Sequence, residues 1–292
     1  MAESRIFPPG SEWLYAKVYM GYYTADQLLA EVIGPQAEAW QSQGWCTKWF
    51  FIRYADPDPH LRLRFYHPDR KEVLKILPAL QSLLQEYMED DLIWKVQIDT
   101  YQREIERYGA QTITLSEDLF HLDSQQAVAF LGLIEGPEGE EIRWLFALKA
   151  MDSLLHGFEI PLEGREKLLA QLRETFALEF NMERSLKRQL DQKYRDSRGK
   201  ISQFIENPAL VDGDFEVLNQ LLAKTQVEAR PIIAQLISHT QAADSQVGLF
   251  ELLGSYLHML NNRLFSSNNR THELVCYDFL HRHYQSTLAR KD

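Results

Sequence analysis

The sequence predicts an α+β protein in which an N-terminal split βαβ (ferredoxin-like) sheet precedes a mostly helical C-terminal half. Segments with a two-residue apolar period alternate with helical segments through about the first hundred residues, an order typical of that sheet. After about residue 120 the strand signals stop, and apolar residues recur at helical spacing. We therefore expect a single domain over residues 1–292, with an α/β half at 1–115 and a helical half at 116–292.

The elements of the first half follow the order β-α-β-β-α-β. The predicted strands are WLYAKVYM (13–20), WCTKWFFIRY (45–54), LRLRF (61–65) and LIWKVQIDTY (92–101). Thr24 is expected to cap the first helix, within which Pro35 predicts a break or restart. A DPDP turn at 56–59 separates the two middle strands, and Pro78 predicts a kink in the second helix.

Helical segments fill the second half of the chain. Apolar residues repeat at helical spacing in SQQAVAFLGLI, EIRWLFALKAMDSLLHGF, GREKLLAQLRETFALEF, FEVLNQLLAK and GLFELLGSYLHMLNNRLF. Between them lies the charged segment ERSLKRQLDQKYRDSRGK (183–200), which holds seven basic and three acidic residues. We interpret this segment as the solvated face of a helix, with a docking strip for an acidic peptide or RNA as the alternative.

Alternation along the strands predicts a polar sheet face that carries arginines. Leu61, Leu63 and Phe65 would face the two helices, so Arg62 and Arg64 would share the other face, under the C-terminal helices. The first and last strands would add Tyr15, Lys17, Tyr19, Lys95, Gln97, Asp99 and Tyr101 to that face. Neighbouring guanidinium groups repel each other unless an anion joins them, which favours a carboxylate or phosphate clamp over a face paired with surface acids.

Composition and missing motifs exclude several classes of protein. The net charge is −11 and the two cysteines, Cys46 and Cys276, are far apart, which argues against a general nucleic-acid binder, a disulfide scaffold and a cysteine zinc site. The sequence contains no glycine-rich phosphate loop, HExxH or GxSxG motif, so we expect neither a metal nor a cofactor. Without a bilayer-spanning apolar run or a signal pattern, the protein is expected to be cytoplasmic.

Two further clusters could carry chemistry. In TYQREIERYGA (100–110), Glu104 and Arg107 would pair on one face of a helical turn, although spacing alone favours the ordinary salt bridges of a solvated helix. In GSYLHMLNNRLF (254–265), His258 lies on the small, polar side of an otherwise apolar helix. A histidine that faces a cleft can act as a general acid or base, whereas a lone helical histidine is more often structural.

Three segments taken together resemble a known family. In order along the chain, FFIRYADPDPHLRLRF, TYQREIERYG and SYLHMLNNRL resemble the C-terminal glutamate-elimination domain of class I lantibiotic dehydratases, which is called the thiopeptide-type bacteriocin biosynthesis domain when it stands alone. The resemblance extends over nearly the whole chain. It implies a lyase that removes glutamate from glutamylated Ser or Thr of a ribosomal precursor peptide and leaves dehydroalanine or dehydrobutyrine.

The resemblance also implies which residues form the site. The implied catalytic residues are Arg64 (with Arg62 as the alternative), Glu104, Arg107 and His258, and the expected substrate-binding residues are His60, Arg62, Arg103, Tyr108 and Arg263. His258 is expected to approach the arginines and to stay neutral beside them. One departure is visible, because the family pattern has a second glycine where this chain has Ala110. If that position needs a positive φ, alanine would disturb the turn.

The implied partners are a glutamylated precursor peptide and a separate enzyme that attaches glutamate from glutamyl-tRNA; a homodimer is left open. The first alternative function is a thiopeptide pyridine synthase, which joins two dehydroalanines by a formal [4+2] cycloaddition and releases the leader peptide. Cycloaddition has no glutamate to bind, so the paired arginines favour elimination. The second alternative is a non-catalytic module that binds a leader peptide or RNA, with tyrosines stacking on bases.

Overall fold

The computed structural model describes residues 4–180, 183–206 and 214–290 and confirms the α+β prediction. The strands are β1 (Ile6–Phe7), β2 (Trp13–Met20), β3 (Lys48–Tyr54), β4 (His60–Tyr66), β5 (Ile93–Ile98) and β6 (Tyr101–Gln102). The helices are α1 (Tyr22–Gln27), α2 (Gly34–Ser42), α3 (Arg70–Val73), α4 (Ile76–Glu89), α5 (Ile105–Tyr108), α6 (Ile113–Leu131), α7 (Gly136–Gly157), α8 (Leu162–Glu179), α9 (Arg184–Glu206), α10 (Asp214–Gln241), α11 (Leu249–Leu264) and α12 (Asn269–Leu288).

The main sheet has four antiparallel strands in the order β3-β4-β2-β5. This is the strand order of the predicted split βαβ arrangement. In the register of β2 against β4, Tyr15 lies opposite Arg64 and Lys17 lies opposite Arg62. The predicted polar face therefore forms as neighbouring cross-strand pairs.

The opposite face of the sheet packs on the helices. Leu63 and Phe65 are fully buried, and the ring of Trp40 in α2 meets the ring of Phe65 edge-on with centroids 5.4 Å apart. Strand alternation fixes this division, because consecutive side chains point to opposite faces. Arg62 and Arg64 alternate with Leu63 and Phe65 along β4, so they lie on the face away from α2, as predicted.

The outer edge of the sheet is covered by side chains rather than by another strand. The backbone N–H of Phe51 in β3 donates to Oγ of Ser124 in α6 over 3.2 Å. The backbone of Arg53 both donates to and accepts from the amide of Asn262, at 2.8 and 2.9 Å. These bonds occupy edge groups that would otherwise invite an added strand.

Two proline predictions have different outcomes. A π-helical segment, Leu28–Ile33, ends where α2 begins, and Pro35 lies in the first turn of α2, so the predicted restart is confirmed. Pro78 lies in the first turn of α4 instead of kinking a longer helix, because the chain leaves the helix between α3 and α4. A proline is tolerated there, since the first N–H groups of a helix have no intrahelical partner.

Two local predictions are wrong. Thr24 does not cap the first helix, which begins at Tyr22 after Gly21 and has no side-chain cap. The last strand does not run to residue 101, because β5 ends at Ile98 and β6 pairs separately with β1. Asp99 lies between β5 and β6, and its carboxylate accepts a hydrogen bond from the backbone N–H of Thr100 at 2.7 Å.

The chain divides into two compact units. The first comprises Met1–Leu133, Gln235–Gly248 and Asn262–Ser267, and the second comprises Ile134–Ala234, Leu249–Asn261 and Asn268–Asp292. In the second unit, Tyr277 of α12 meets Phe176 of α8 edge-on at 5.3 Å, and Phe279 meets Trp144 of α7 at 6.0 Å. Within the described ranges, no helix combines the length and the apolar character that crossing a membrane would require.

Candidate active site

Arg64 is a buried cation enclosed by aromatic rings. Its guanidinium carbon lies 4.4 Å from the ring centroid of Tyr15, 4.8 Å from that of Tyr101 and 5.3 Å from that of Phe50. Only 7% of the residue is exposed, and its Nε and Nη1 have no hydrogen-bond partner among the described residues. Burial lowers the pKa of Arg64, because desolvation disfavours the charged form. Such a group is ready to receive an anion.

Arg62 is held beside it by His60. Nε of Arg62 donates to Nε2 of His60 over 3.1 Å, and the other ring nitrogen, Nδ1, lies 2.8 Å from the carbonyl oxygen of Asp58. Because that carbonyl can only accept, Nδ1 carries the hydrogen and Nε2 is the acceptor. Burial, together with the charges of Arg62 and Lys17, lowers the pKa of His60. A neutral imidazole thus orients Arg62, whose guanidinium carbon also lies 3.5 Å from the ring centroid of Tyr54. Its terminal NH₂ groups have no hydrogen-bond partner among the described residues.

Lys17 completes the charge pattern of this face. Its ammonium group lies 2.5 Å from a carboxylate oxygen of Asp99, and this hydrogen bond is the main cause of the lowered pKa of Asp99. The cation opposite Arg62 is therefore already matched by an acid. In contrast, no described carboxylate lies within ion-pair distance of Arg62 or Arg64.

The predicted pair on the turn after β6 is present. Nη1 of Arg107 lies 3.6 Å from Oε2 of Glu104, and the two side chains are 35% and 63% exposed. A pair so loose and open to solvent is weak. The turn ends at Gly109, which has a φ of 73°, whereas Ala110 has no positive φ. The positive φ that favours glycine therefore occurs at Gly109, and Ala110 is compatible with the turn.

Tyr108 is a buried tyrosine whose pKa is affected by three of the arginines. The ring is buried and meets Phe120 edge-on with centroids 5.1 Å apart. Burial is the main cause that raises the pKa of Tyr108 to about 12, while the charges of Arg107, Arg263 and Arg64 oppose the rise. The net effect is a raised pKa, so the Tyr108 hydroxyl remains a hydrogen-bond donor at neutral pH.

Two of the expected substrate-binding arginines are bound to acidic side chains of the protein itself. Arg103 makes a two-point contact with Glu117, Nη2 to Oε2 at 2.6 Å and Nε to Oε1 at 2.7 Å. Arg263 is fully buried, with Nη1 2.5 Å from Asp123. These contacts already match both charges, which suits a scaffold more than a binding group. Among the described residues, no cluster of three or more His, Cys, Asp or Glu could hold a metal ion.

His258 belongs to the second unit, where its partner is a carboxylate. Nδ1 of His258 lies 2.6 Å from Oε1 of Glu273 in α12, a residue that is fully buried. The group that Nδ1 meets is thus a carboxylate and not a backbone carbonyl. The expected approach of His258 to the arginines stays a prediction. Sequence reasoning missed Glu273, and the signal was a glutamate in the otherwise apolar stretch ELVCY (273–277).

A comparison with protein families decides which kind of domain this is. The family model described as "Lantibiotic biosynthesis dehydratase C-term" matches residues 13–284. The chain belongs to this family. The match includes all residues of the candidate site, from His60 to Arg263, and confirms the resemblance that the sequence motifs suggested.

Two curated proteins are related to this lantibiotic dehydratase C-terminal domain. The subtilin biosynthesis protein SpaB of Bacillus subtilis is 28% identical over 270 residues, which are 90% of this chain and 25% of SpaB. The nisin biosynthesis protein NisB of Lactococcus lactis subsp. lactis is 30% identical over 128 residues, 44% of this chain and 12% of NisB. The chain thus spans a quarter or less of the length of these relatives.

Solved structures share the fold of this dehydratase C-terminal domain. The tRNA-dependent lantibiotic dehydratase MibB of Microbispora sp. 107891 matches with a TM-score of 0.77 and 23% identity, covering 97% of this chain and 29% of MibB. TsrL matches with a TM-score of 0.61 and 15% identity over 95% of both chains. The pyridine synthase TbtD from thiomuracin biosynthesis matches with a TM-score of 0.59 and 14% identity, covering 96% of this chain and 99% of TbtD.

Proposed function

We propose that this domain is a lyase that eliminates glutamate from glutamylated Ser or Thr residues of a ribosomally made precursor peptide. The observation that carries the proposal is Arg64, a buried guanidinium in an aromatic enclosure without a carboxylate partner among the described residues. Arg62 lies on the same strand face, oriented by His60. Membership of the lantibiotic dehydratase C-terminal family supports the same reaction class.

The chemistry of this elimination calls for fixed positive charge. A base removes the Cα proton of the esterified residue, the electron pair forms the Cα=Cβ double bond, and the Cβ–O bond breaks to release glutamate as a carboxylate. The products are one dehydro residue and one free glutamate, and the reaction needs no oxidant. Negative charge develops on the carbonyl oxygen of the reacting residue and on the departing carboxylate, where preorganised donors lower the barrier.

The side chains divide into distinct roles under this proposal. Arg64 and Arg62 bind the free carboxylate of the esterified glutamate and the second carboxylate that forms as the Cβ–O bond breaks, because planar guanidinium groups match a carboxylate at two points. Arg107 exchanges its weak contact with Glu104 for the substrate. His258 transfers the proton, a role that the family resemblance and its carboxylate partner support. Arg103 and Arg263 hold the scaffold through their ion pairs with Glu117 and Asp123.

A pyridine synthase is the second candidate. The neighbour that favours it is TbtD, which this chain matches over 99% of the length of that enzyme. The arginine pair opposes this reading, because joining two dehydroalanines creates no carboxylate for Arg64 and Arg62 to bind. A module that binds a leader peptide or RNA without catalysis is a third reading. The tyrosines of the polar face weigh against stacking on bases, because Tyr15, Tyr19 and Tyr101 are all buried.

Mass spectrometry of a glutamylated precursor peptide separates these candidates. Supplying the ester already formed makes the test independent of any glutamylating enzyme. We expect the peptide to lose glutamic acid and gain one dehydro residue per ester, while the unmodified peptide stays unchanged. A synthase would instead convert a dehydrated peptide into a macrocycle with release of the leader. A binding module would retain the peptide, or RNA in a salt-dependent manner, without changing any mass.

A further inference from the structure

We infer that Glu273 is a positioning residue that fixes the tautomer of His258 and leaves Nε2 as the nitrogen that exchanges protons. The inference rests on the proposed function in one respect, namely that His258 is the proton carrier. It assigns a purpose to a buried carboxylate that neither the sequence motifs nor the family resemblance singled out. It also names which ring nitrogen the substrate should meet.

The contact between the two side chains determines where the hydrogen lies. Nδ1 of His258 is 2.6 Å from Oε1 of Glu273, and a carboxylate can only accept, so Nδ1 carries the hydrogen. In a neutral ring Nε2 then bears the lone pair. Nε2 has no partner among the described residues, and 29% of the His258 side chain is exposed. A proton acceptor needs this combination of a fixed tautomer and an accessible nitrogen.

Other side chains hold the carboxylate of Glu273 in place. The hydroxyl of Tyr277 donates to Oε1 at 3.1 Å, and Nη1 of Arg270 donates to Oε2 at 3.0 Å. Burial and the charge of Glu273 raise the pKa of Tyr277 well above its usual value, so this hydroxyl remains a donor. A buried carboxylate is tolerated when its oxygens receive donors in this way. Glu273 is therefore a rigid anchor for the imidazole.

Arg270 is itself anchored from α8. Its Nε donates to Oε1 of Glu179 at 3.1 Å, and its guanidinium carbon lies 4.0 Å from the ring centroid of Phe176. The charge of Arg270 offsets that of Glu273 on the side away from His258. The chain of contacts joins α8, α12 and α11, so the orientation of the imidazole is set by three helices rather than by its own helix alone.

A second Glu–His pair in the same unit lacks these features and provides a control. Nε2 of His281 lies 3.0 Å from Oε1 of Glu166, but only 8% of the His281 side chain is exposed. Its other ring nitrogen, Nδ1, is buried without a partner in the described part of the chain. That ring offers no accessible nitrogen to a substrate. The greater exposure of its side chain, together with an Nε2 that has no partner among the described residues, therefore distinguishes His258 from a histidine that only packs.

The experiment combines nitrogen NMR of the imidazole with kinetics on Glu273→Gln. Long-range ¹H–¹⁵N spectra of protein with ¹⁵N-labelled histidine report the tautomer, and the missing signals in His258→Phe assign the ring. In the wild-type protein we expect hydrogen on Nδ1 and a bare Nε2 at a pH where the ring is neutral. In Glu273→Gln we expect a mixture, because one amide oxygen cannot accept from Tyr277, Arg270 and Nδ1 together.

The kinetic readout is elimination of glutamate from the glutamylated peptide. We expect Glu273→Gln to lower kcat by about tenfold or more with little change in KM, as loss of a tautomer-fixing carboxylate does elsewhere. Glu166→Gln should leave both constants unchanged. Tyr277→Phe keeps the carboxylate and the His258 contact, so the tautomer should persist; this variant serves if Glu273→Gln does not fold.

Each outcome has a defined meaning. Hydrogen on Nε2 of His258 in the wild-type protein would overturn the inference without any activity measurement. An altered tautomer in Glu273→Gln with an unchanged kcat would overturn the positioning role while leaving the proposed function intact. If the wild-type protein eliminates nothing, the proposed function fails, and the spectra still test whether Glu273 fixes the ring.

Discussion

Arg62 and His60 are hydrogen-bonded to each other on one strand, with Nε of the arginine 3.1 Å from Nε2 of the histidine. The bond is possible only while the imidazole is neutral, since a protonated ring has no acceptor nitrogen. The same strand thus carries the cation Arg62 and the histidine that orients it. Both arginines lie over aromatic rings, Arg62 over Tyr54 and Arg64 over Tyr15 and Tyr101, but only Arg62 also has a hydrogen-bond acceptor for its Nε.

Acidification should weaken both the fold and the site through His60. Burial lowers the pKa of His60 in the folded protein, so below its ordinary value of about 6.5 the unfolded chain binds more protons, and stability falls as pH decreases from there toward the lowered pKa. Urea unfolding at a series of pH values should show this slope, and His60→Asn should reduce it. His67→Asn, just beyond the same strand, is the control; equal slopes in all three proteins would refute the role of His60.

Arg64→Lys should impair elimination although the positive charge is kept. Lysine cannot make the planar two-point contact with a carboxylate, and its ammonium group would lack the stacking that Tyr15 and Tyr101 give the guanidinium. We expect kcat/KM to fall on the order of 100-fold, equivalent to about 2.7 kcal/mol. Arg290→Lys, at an exposed position, is the matched control. Wild-type turnover by a folded Arg64→Lys protein would remove Arg64 from the site.

Arg107→Ala should stop elimination without unfolding the protein. The pair with Glu104 is exposed and loose, so its loss should cost about 0–1 kcal/mol of stability. The activity should drop because the charge is required by the substrate, and mass spectrometry should show the glutamylated peptide accumulating. A thermal melt run in parallel checks the fold. Loss of activity together with a large drop in Tm would instead indicate a structural role.

Arg103→Met, unlike Arg107→Ala, should mainly lower the stability of the protein. Removing it leaves the buried carboxylate of Glu117 without its two-point partner, which should cost about 3–5 kcal/mol in the free energy of unfolding. Denaturant titration measures this loss. Arg5→Met, which breaks the surface pair with Glu106, should leave the unfolding midpoint unchanged. Full stability of Arg103→Met would refute the scaffold role of Arg103.

His258→Phe should abolish elimination while the helix keeps its packing. The phenyl ring fills the volume of the imidazole but carries no proton, so we expect kcat to fall by about 10²–10⁴. Binding of the glutamylated peptide, measured by isothermal titration calorimetry, should change little, because the proposed function assigns the free carboxylate of the ester to the arginines. Elimination at the wild-type rate would show that His258 is structural and that another group moves the proton.

Much of the fold follows from short stretches of sequence. The two-residue period of WLYAKVYM and HLRLRF sets which side chains share a sheet face, and the structure has Tyr15 opposite Arg64 as that alternation requires. Helix boundaries were less predictable. Thr24 is a good capping residue by type, yet the helix begins two residues earlier, at Tyr22, because the end of β2 and the following turn decide where the chain can start to coil.

The sequence by itself determined that Arg62 and Arg64 lie side by side on a strand face, because alternation is a local property of extended backbone. Only the tertiary structure decided which cations remain available. Arg103 meets Glu117 across 14 positions, and Arg263 meets Asp123 across 140. His258 likewise obtains its carboxylate from another helix, 15 residues away. A charge pattern shows where ionic groups can occur, but burial and distance between remote segments decide which are neutralised inside the protein and which are left for a substrate.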